Sequence, residues 1–229
     1  MADATRIAAQ KSPPKAERRK NVDRSAETCR HILEATIKCL DQWGYGAVTN
    51  IRVADAAGVS RGAMVHHFPT RQALIVATVE FAYANQGVLR AAELAKVPVG
   101  LERFRKIMDL CYVTQRMPEG MALNEIRIGS RSDPAIREAV TPMMSAISDD
   151  YGKMILRLAK EAGLKSSREL RGFIGTATMA SRALAINTFT YPRSTVAENV
   201  LWTLQTMRED LIARELGREH ARYPAAPQG

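Results

Sequence analysis

The side chains with the widest chemical repertoire here are His66 and His67, the thiols Cys29, Cys39 and Cys111, and the neighbours Ser60 and Arg61. Adjacent histidines point to different sides of a helix, so they lack the i, i+4 spacing that chelates one metal. The cysteines are odd in number and no C-x-x-C occurs. Cys29 and Cys39 sit ten residues apart in one expected helix, so reduced thiols in a cytoplasmic protein are the expectation. No phosphate loop, dinucleotide glycine pattern or G-x-S-x-G elbow is present. No catalytic residue, metal ligand or cofactor is therefore expected, and the second half holds a single histidine, His220, in a polar end segment. What these side chains still offer is hydrogen bonding and charge, from hydroxyls, one cation and one imidazole.

The stretch that would position those groups runs from Thr49 to Phe68, TNIRVADAAGVSRGAMVHHF. It reads as two short helices around a glycine turn. Thr49 can cap the first helix with its hydroxyl, and Val53, Ala54 and Ala57 form an inward stripe. Gly58 falls where the chain leaves that helix through a left-handed conformation. Ser60 can cap the second helix, with Val59 and Met64 turned inward. Arg61, Gly62, Ala63, Val65 and His66 then face outward, small and cationic enough to enter a major groove. Pro69 ends this helix, Thr70 can cap a third, and Arg71 at its start is placed to meet a phosphate. Upstream, Ile32, Leu33, Cys39, Leu40 and Trp43 form an apolar stripe closed by Gly44-Tyr45. His67 is expected to pack inward.

From Ile32 to Tyr45 the chain reads I-L-x-A-x-x-x-x-L-x-x-x-G-Y, and from Thr49 to Leu74 T-x-x-x-V-A-x-x-A-G-V-S-R-G-x-x-x-H-H-F-P-x-R-x-x-L. Together these motifs resemble the TetR family of one-component repressors. The resemblance implies double-stranded operator DNA as partner, with Thr49, Ser60, Arg61, Gly62, Ala63, Val65, His66 and Arg71 as the DNA-binding residues. Two positions depart from the family pattern, Val65 where it usually has Tyr and Arg71 where it usually has Lys. The first removes a hydroxyl aimed at a phosphate, and an apolar contact to a thymine methyl could replace it; the second keeps the charge.

The expected fold class is all-α, an N-terminal three-helix headpiece plus a C-terminal helical ligand-binding and dimerisation domain. We divide the chain into a flexible basic arm at 1–24, a DNA-binding domain at 25–75, a connector helix at 71–96, a regulatory and dimerisation domain at 97–216 and a flexible tail at 217–229. The 229 residues are 46% apolar, enough for a real core, and carry a net charge of +9. That charge is uneven. Residues 1–24 hold seven lysines and arginines against three acidic residues, whereas residues 25–100 hold seven against six. The arm lacks a secretory apolar run, and its Pro13-Pro14 argues for flexibility. It is either a solvated terminus or an arm whose Arg18, Arg19 and Lys20 touch the DNA backbone or minor groove.

After Phe68 the pattern is long helices: about 71–96, 101–116, 119–130, 134–162, 167–190 and 195–216, with a kink or break at Thr141-Pro142 and a break at Tyr191-Pro192. No run of 18 apolar residues suggests a membrane span. Small residues Gly175, Ala177, Ala180, Ala183 and Ala185 keep one helix thin, and Val200, Leu204, Met207 and Leu211 stripe the next. Such a pair can be internal core; the family resemblance implies instead a homodimer through 167–190 and 195–216, as a palindromic operator also requires. Seven of ten methionines lie between Met108 and Met179. They are either core filler or, as the resemblance implies, the lining of a cavity for a small apolar or amphipathic effector. The expected lining is Phe104, Met108, Cys111, Met121 and Glu125, with Met143, Ile147, Tyr151, Phe173 and Thr176 opposite. Glu125 either anchors a ligand there or faces solvent, and Arg127 beside it also interrupts an apolar helix. The expected function is a ligand-responsive regulator, a repressor released by its effector. The alternative is a DNA-binding regulator or architectural protein of the same fold controlled by a protein partner.

Overall fold

The computed structural model describes the backbone of residues 15–190 and 195–217, and side chains from residue 23 onward except that of residue 189. Among the described residues every regular element is helical: α1 (Lys15–Trp43), a 3-10 turn (Tyr45–Ala47), α2 (Asn50–Ala57), α3 (Arg61–His67), α4 (Arg71–Ala95), α5 (Leu101–Arg116), α6 (Pro118–Gly129), α7 (Pro134–Glu161), α8 (Arg168–Thr190) and α9 (Val196–Glu215). None of these helices is long and apolar enough to cross a membrane.

Helix starts follow the side-chain caps. Thr49, Ser60, Thr70 and Asp133 each accept from the amide three residues ahead, at 3.0–3.2 Å. Gly58 closes α2 at φ 66°, where its amide bonds back to Ala54 and Asp55 carbonyls. Two expectations need correction. The arm was expected to be flexible to residue 24, but α1 already begins at Lys15; residues 1–14, with Pro13-Pro14, lie outside the described residues, as do Tyr191-Pro192 and residues 218–229 of the tail. Pro142 does not break the chain into two helices, and α7 runs through it. Its ring is exposed, so water can serve the freed carbonyl, and both flanks are anchored, Ile136 and Val140 at one end and Ile155 and Leu158 at the other.

Packing divides the molecule into two apolar clusters. The first joins Ile32, Leu40, Val53, Met64, Leu74 and Val79 of the headpiece and connector to Ala122 and Ile126 of α6 and Ile136 and Val140 of α7. The second gathers Phe104, Ile107, Ile155, Leu170, Phe173 and Ile212 from α5, α7, α8 and α9. The expected boundary between headpiece and regulatory domain is therefore not where packing changes: α6 and the start of α7 share the headpiece core. Tight backbone approaches hold this arrangement. A Cβ on Gly129 would lie 2.1 Å from the Tyr45 ring, and one on Gly120 would lie 2.2 Å from the Thr114 carbonyl oxygen.

Candidate nucleic-acid interface and effector region

The helix-turn-helix presents the face the sequence implies. Val53, Ala54 and Met64 are buried, and Ala57 and Val59 pack against the same cluster. Arg61, Gly62, Val65 and His66 are exposed and Ala63 is half-buried, with Val65 53% accessible despite its apolar side chain. Thr49 and Ser60 are exposed with their hydroxyls spent on capping. His67 is only half-buried, its ring edge-on to His66 at 5.4 Å, because α3 is too short to cover both sides. Trp43 departs further: it is half exposed and carries the Arg52 guanidinium 5.3 Å above its ring.

Arg71, at the start of α4, makes a network of bonds within the protein. Its Nη1 donates to the Tyr45 hydroxyl at 2.7 Å and to Asp133 Oδ2 at 3.0 Å, and its Nε and Nη2 donate to the Val48 and Tyr45 carbonyls at 3.2 and 3.1 Å. The guanidinium lies 4.1 Å from the Tyr45 ring centre. Tyr45 in turn donates its hydroxyl to Asp133 Oδ2 and its amide to Glu125 Oε2, both at 2.9 Å. The planar guanidinium fork thus serves several acceptors of the headpiece and α7 at once. For Glu125 the expectation is corrected: it is a headpiece contact, neither a ligand anchor nor a solvent charge. The amide of Ile136 and the Tyr45 hydroxyl hold the Asp133 carboxyl below its ordinary pKa, helped by Arg71.

Several spaces open in the second half. A cleft of about 310 Å³ lies between α5, α8 and α9, bounded by Met108, Tyr112, Phe173, Leu201 and Leu204. A groove of about 300 Å³ runs between α7 and α8, along Gly152, Leu156, Ile174, Gly175 and Met179. A chamber of about 60 Å³ lies deeper, among Tyr83, Gln86, Arg90, Gln115, Arg127 and Ile147. Ser148, Tyr151, Thr178 and Arg182 line both groove and chamber, so the two adjoin. Behind them, Cys111 Sγ lies 3.0 Å from the Tyr151 hydroxyl, and burial pushes both groups above their ordinary pKa values.

Residues 32–78 match the bacterial regulatory proteins of the tetR family. That match spans the headpiece, from α1 through the helix-turn-helix into α4. The chain is 31% identical over 124 residues to the HTH-type transcriptional regulator CymR of Pseudomonas putida, covering 54% of this chain and 61% of CymR. It is 34% identical over 80 residues to the HTH-type transcriptional regulator AcrR of Shigella flexneri, covering 35% of this chain and 37% of AcrR. The chain thus matches less than two thirds of the length of either. The HTH-type transcriptional repressor AcnR of Corynebacterium efficiens is 28% identical over 140 residues, 61% of this chain and 69% of AcnR. In fold, a TetR transcription regulator from Haloarcula marismortui superposes with a TM-score of 0.61 at 15% identity, covering 84% of this chain and 98% of that one. These relatives are transcriptional regulators.

Against that fold, the expected effector residues scatter. Met108 and Phe173 line the α5–α8–α9 cleft, while Tyr151 and Ile147 line the chamber. Phe104 is sealed in the second core, Met121 is buried, and Met143 packs on the headpiece cluster. Thr176 is exposed on the outer side of α8. Met108 and Met179 border the cleft and the groove while Met121 is buried and Met143 packs on the headpiece cluster, so methionine content alone does not separate packing filler from lining. The polar residues of the chamber went unread, Arg90, Arg182 and Gln86 above all. Arg127 was visible as a break in an apolar helix, and that break was the available signal.

Proposed function

We propose that this protein is a cytoplasmic, ligand-responsive repressor of the TetR family. It binds a palindromic operator as a homodimer and leaves it when a small apolar or amphipathic effector enters the helical second half. The observation carrying this reading is the α3 face: Arg61, Val65 and His66 stand exposed on a helix whose opposite side, Met64, is locked in the core. A large apolar residue and an imidazole held at the surface suit base edges in a major groove. Repression over activation is favoured by AcnR, a repressor by name. An effector role is favoured by the groove and chamber between α4 and α8.

The test is selection of bound sequences from random duplex DNA. Two inverted half-sites are expected, and recovery of no common sequence overturns the reading. On the recovered site, Arg61→Ala should cost about 1–3 kcal/mol at one guanine position. Equal weakening on every sequence would make Arg61 a phosphate contact only.

A further inference from the structure

The chamber between α4 and α8 has an unusual charge balance. Its walls include Arg90, Arg127 and Arg182 and no aspartate or glutamate. Among the described residues none of the three pairs with a carboxylate. Arg90 is 4% exposed, lies 4.9 and 5.0 Å from the Tyr83 and Tyr151 ring centres, and donates to Gln86 Oε1 at 3.3 Å. Arg127 donates to Asn124 Oδ1 at 3.3 Å. Arg182 Nε and Gln115 Oε1 are buried and have no hydrogen-bond partner. Burial pushes the Arg127 pKa down to about 10, with the charge of Arg182 adding to it, and burial lowers Arg182 as well. Sequestering guanidinium groups without a counter-charge costs free energy that an anion would offset.

The adjoining groove is of the opposite character. Leu156, Ile174 and Met179 form its apolar walls, and it reaches the chamber past Tyr151, Thr178 and Arg182. Gly152 and Gly175 keep it open: a Cβ at either would meet no atom within 4 Å. Resting on the effector reading above, we propose that the effector is an amphipathic carboxylate. Its head is held in the chamber by Arg127 and Arg182, with Arg90 behind them, and its apolar body lies along the α7–α8 groove. A planar carboxylate matches the guanidinium fork, and a chamber this small admits a single head group.

The test is calorimetric titration of the full chain with straight-chain carboxylates from hexanoate to dodecanoate and with 4-phenylbutanoate. Octanamide, choline and inorganic phosphate are the controls. We expect saturable binding of one carboxylate per chain, with octanamide, choline and phosphate weaker by roughly 10-fold or more, the scale of a charge-assisted bidentate contact. Arg127→Gln and Arg182→Gln should each weaken carboxylate binding by about 10-fold or more and leave octanamide unchanged. The thermal midpoint of ligand-free Arg182→Gln should not fall below wild type, because an unpaired buried cation has been removed. Carboxylate binding by none of the series, or equal binding of octanoate and octanamide, overturns the proposal. The same ligands are then added to the complex with selected DNA. A carboxylate that binds without releasing DNA upholds the anion site and defeats the effector reading. Release by choline or octanamide, with no carboxylate bound, upholds the effector reading and defeats the anion site.

Discussion

Asp133 holds together three things that the chain places far apart: the α7 amide of Ile136, the Tyr45 hydroxyl and the Arg71 guanidinium. Each of these contacts favours the ionised carboxyl, which is why its pKa is lowered. A carboxylate with a depressed folded pKa contributes stability that is fully present above its ordinary value of about 4 and is lost as pH falls through the folded value. Thermal midpoints measured from pH 7 down to pH 3 should therefore drop for wild type below about pH 4, and Asp133→Asn should flatten that limb. An unchanged acid limb in Asp133→Asn would mean that other carboxylates govern it. Asp133 is both a helix cap and a partner of Arg71, and only the first is a local matter. The cap is local, fixed by three residues of spacing, whereas the ion pair spans 62 positions, a separation at which no periodicity operates. The same distinction explains the rest of the site. Thr49, Ser60 and the α3 face are short-range chemistry and were legible. The convergence of Arg90, Arg127 and Arg182 depends on how α4, α6 and α8 cross, and no local pattern encodes it.

Among the elements, α6 has the most exacting position. It begins against the Thr114 and Gln115 carbonyls at Gly120 and ends under the Tyr45 ring at Gly129, and neither place leaves room for a Cβ. Helix propensity argues against two glycines in a twelve-residue helix, and α6 forms because its apolar side is buried, with Ala122 and Ile126 fully enclosed. Gly129→Ala should destabilise the fold by about 1–3 kcal/mol through overpacking against a ring that Arg71 and Asp133 hold in place. Chemical denaturation would measure the loss. A second readout separates this from ordinary core strain: pushing Tyr45 away should also loosen the Glu125 and Asp133 contacts, so hydrogen exchange should rise in the 3-10 turn as well as in α6. Protection lost from α6 alone would show that Tyr45 is not the coupling residue. The connector α4 extends this network. It starts at Arg71 in the Tyr45–Asp133 cluster and reaches the chamber at Tyr83, Gln86 and Arg90, roughly 18–28 Å further at 1.5 Å per residue. A helix that ends in a polar contact at one site and lines a cavity at the other can transmit only what each site prefers between two positions.

At the scale of the whole molecule, a palindromic operator requires two copies of α3 about 34 Å apart, which one chain cannot provide. The second half offers a surface for pairing, but not the whole stripe read from the sequence. Leu211, Ala177 and Ala185 are buried within the chain's own core, so they are taken. Of that stripe, Met207 stays outward on α9, 45% exposed, with Ala183 exposed on α8. Ion pairs fix the rotation of α9 that leaves them there. Arg208 and Glu209 are buried on the inner side, where Glu209 accepts from Arg105 at 2.6 Å and Arg208 donates to Asp109 at 2.7 Å. Burial alone would raise the Glu209 carboxyl, but hydrogen bonds from Arg105 and Arg208 hold it below its ordinary value. The helix therefore cannot turn to hide Met207 without breaking a buried charged cluster, a change costing about 3–5 kcal/mol. Met207→Glu should leave the monomer folded, because the side chain already meets solvent, but would bury an unpaired charge in any α8–α9 interface. Sedimentation at micromolar concentration is expected to give a dimer for wild type and a monomer for Met207→Glu, with operator binding lost in parallel. A dimer that survives Met207→Glu would move the interface elsewhere on the second half, and a wild-type monomer that still selects a palindrome would place dimerisation on the DNA itself.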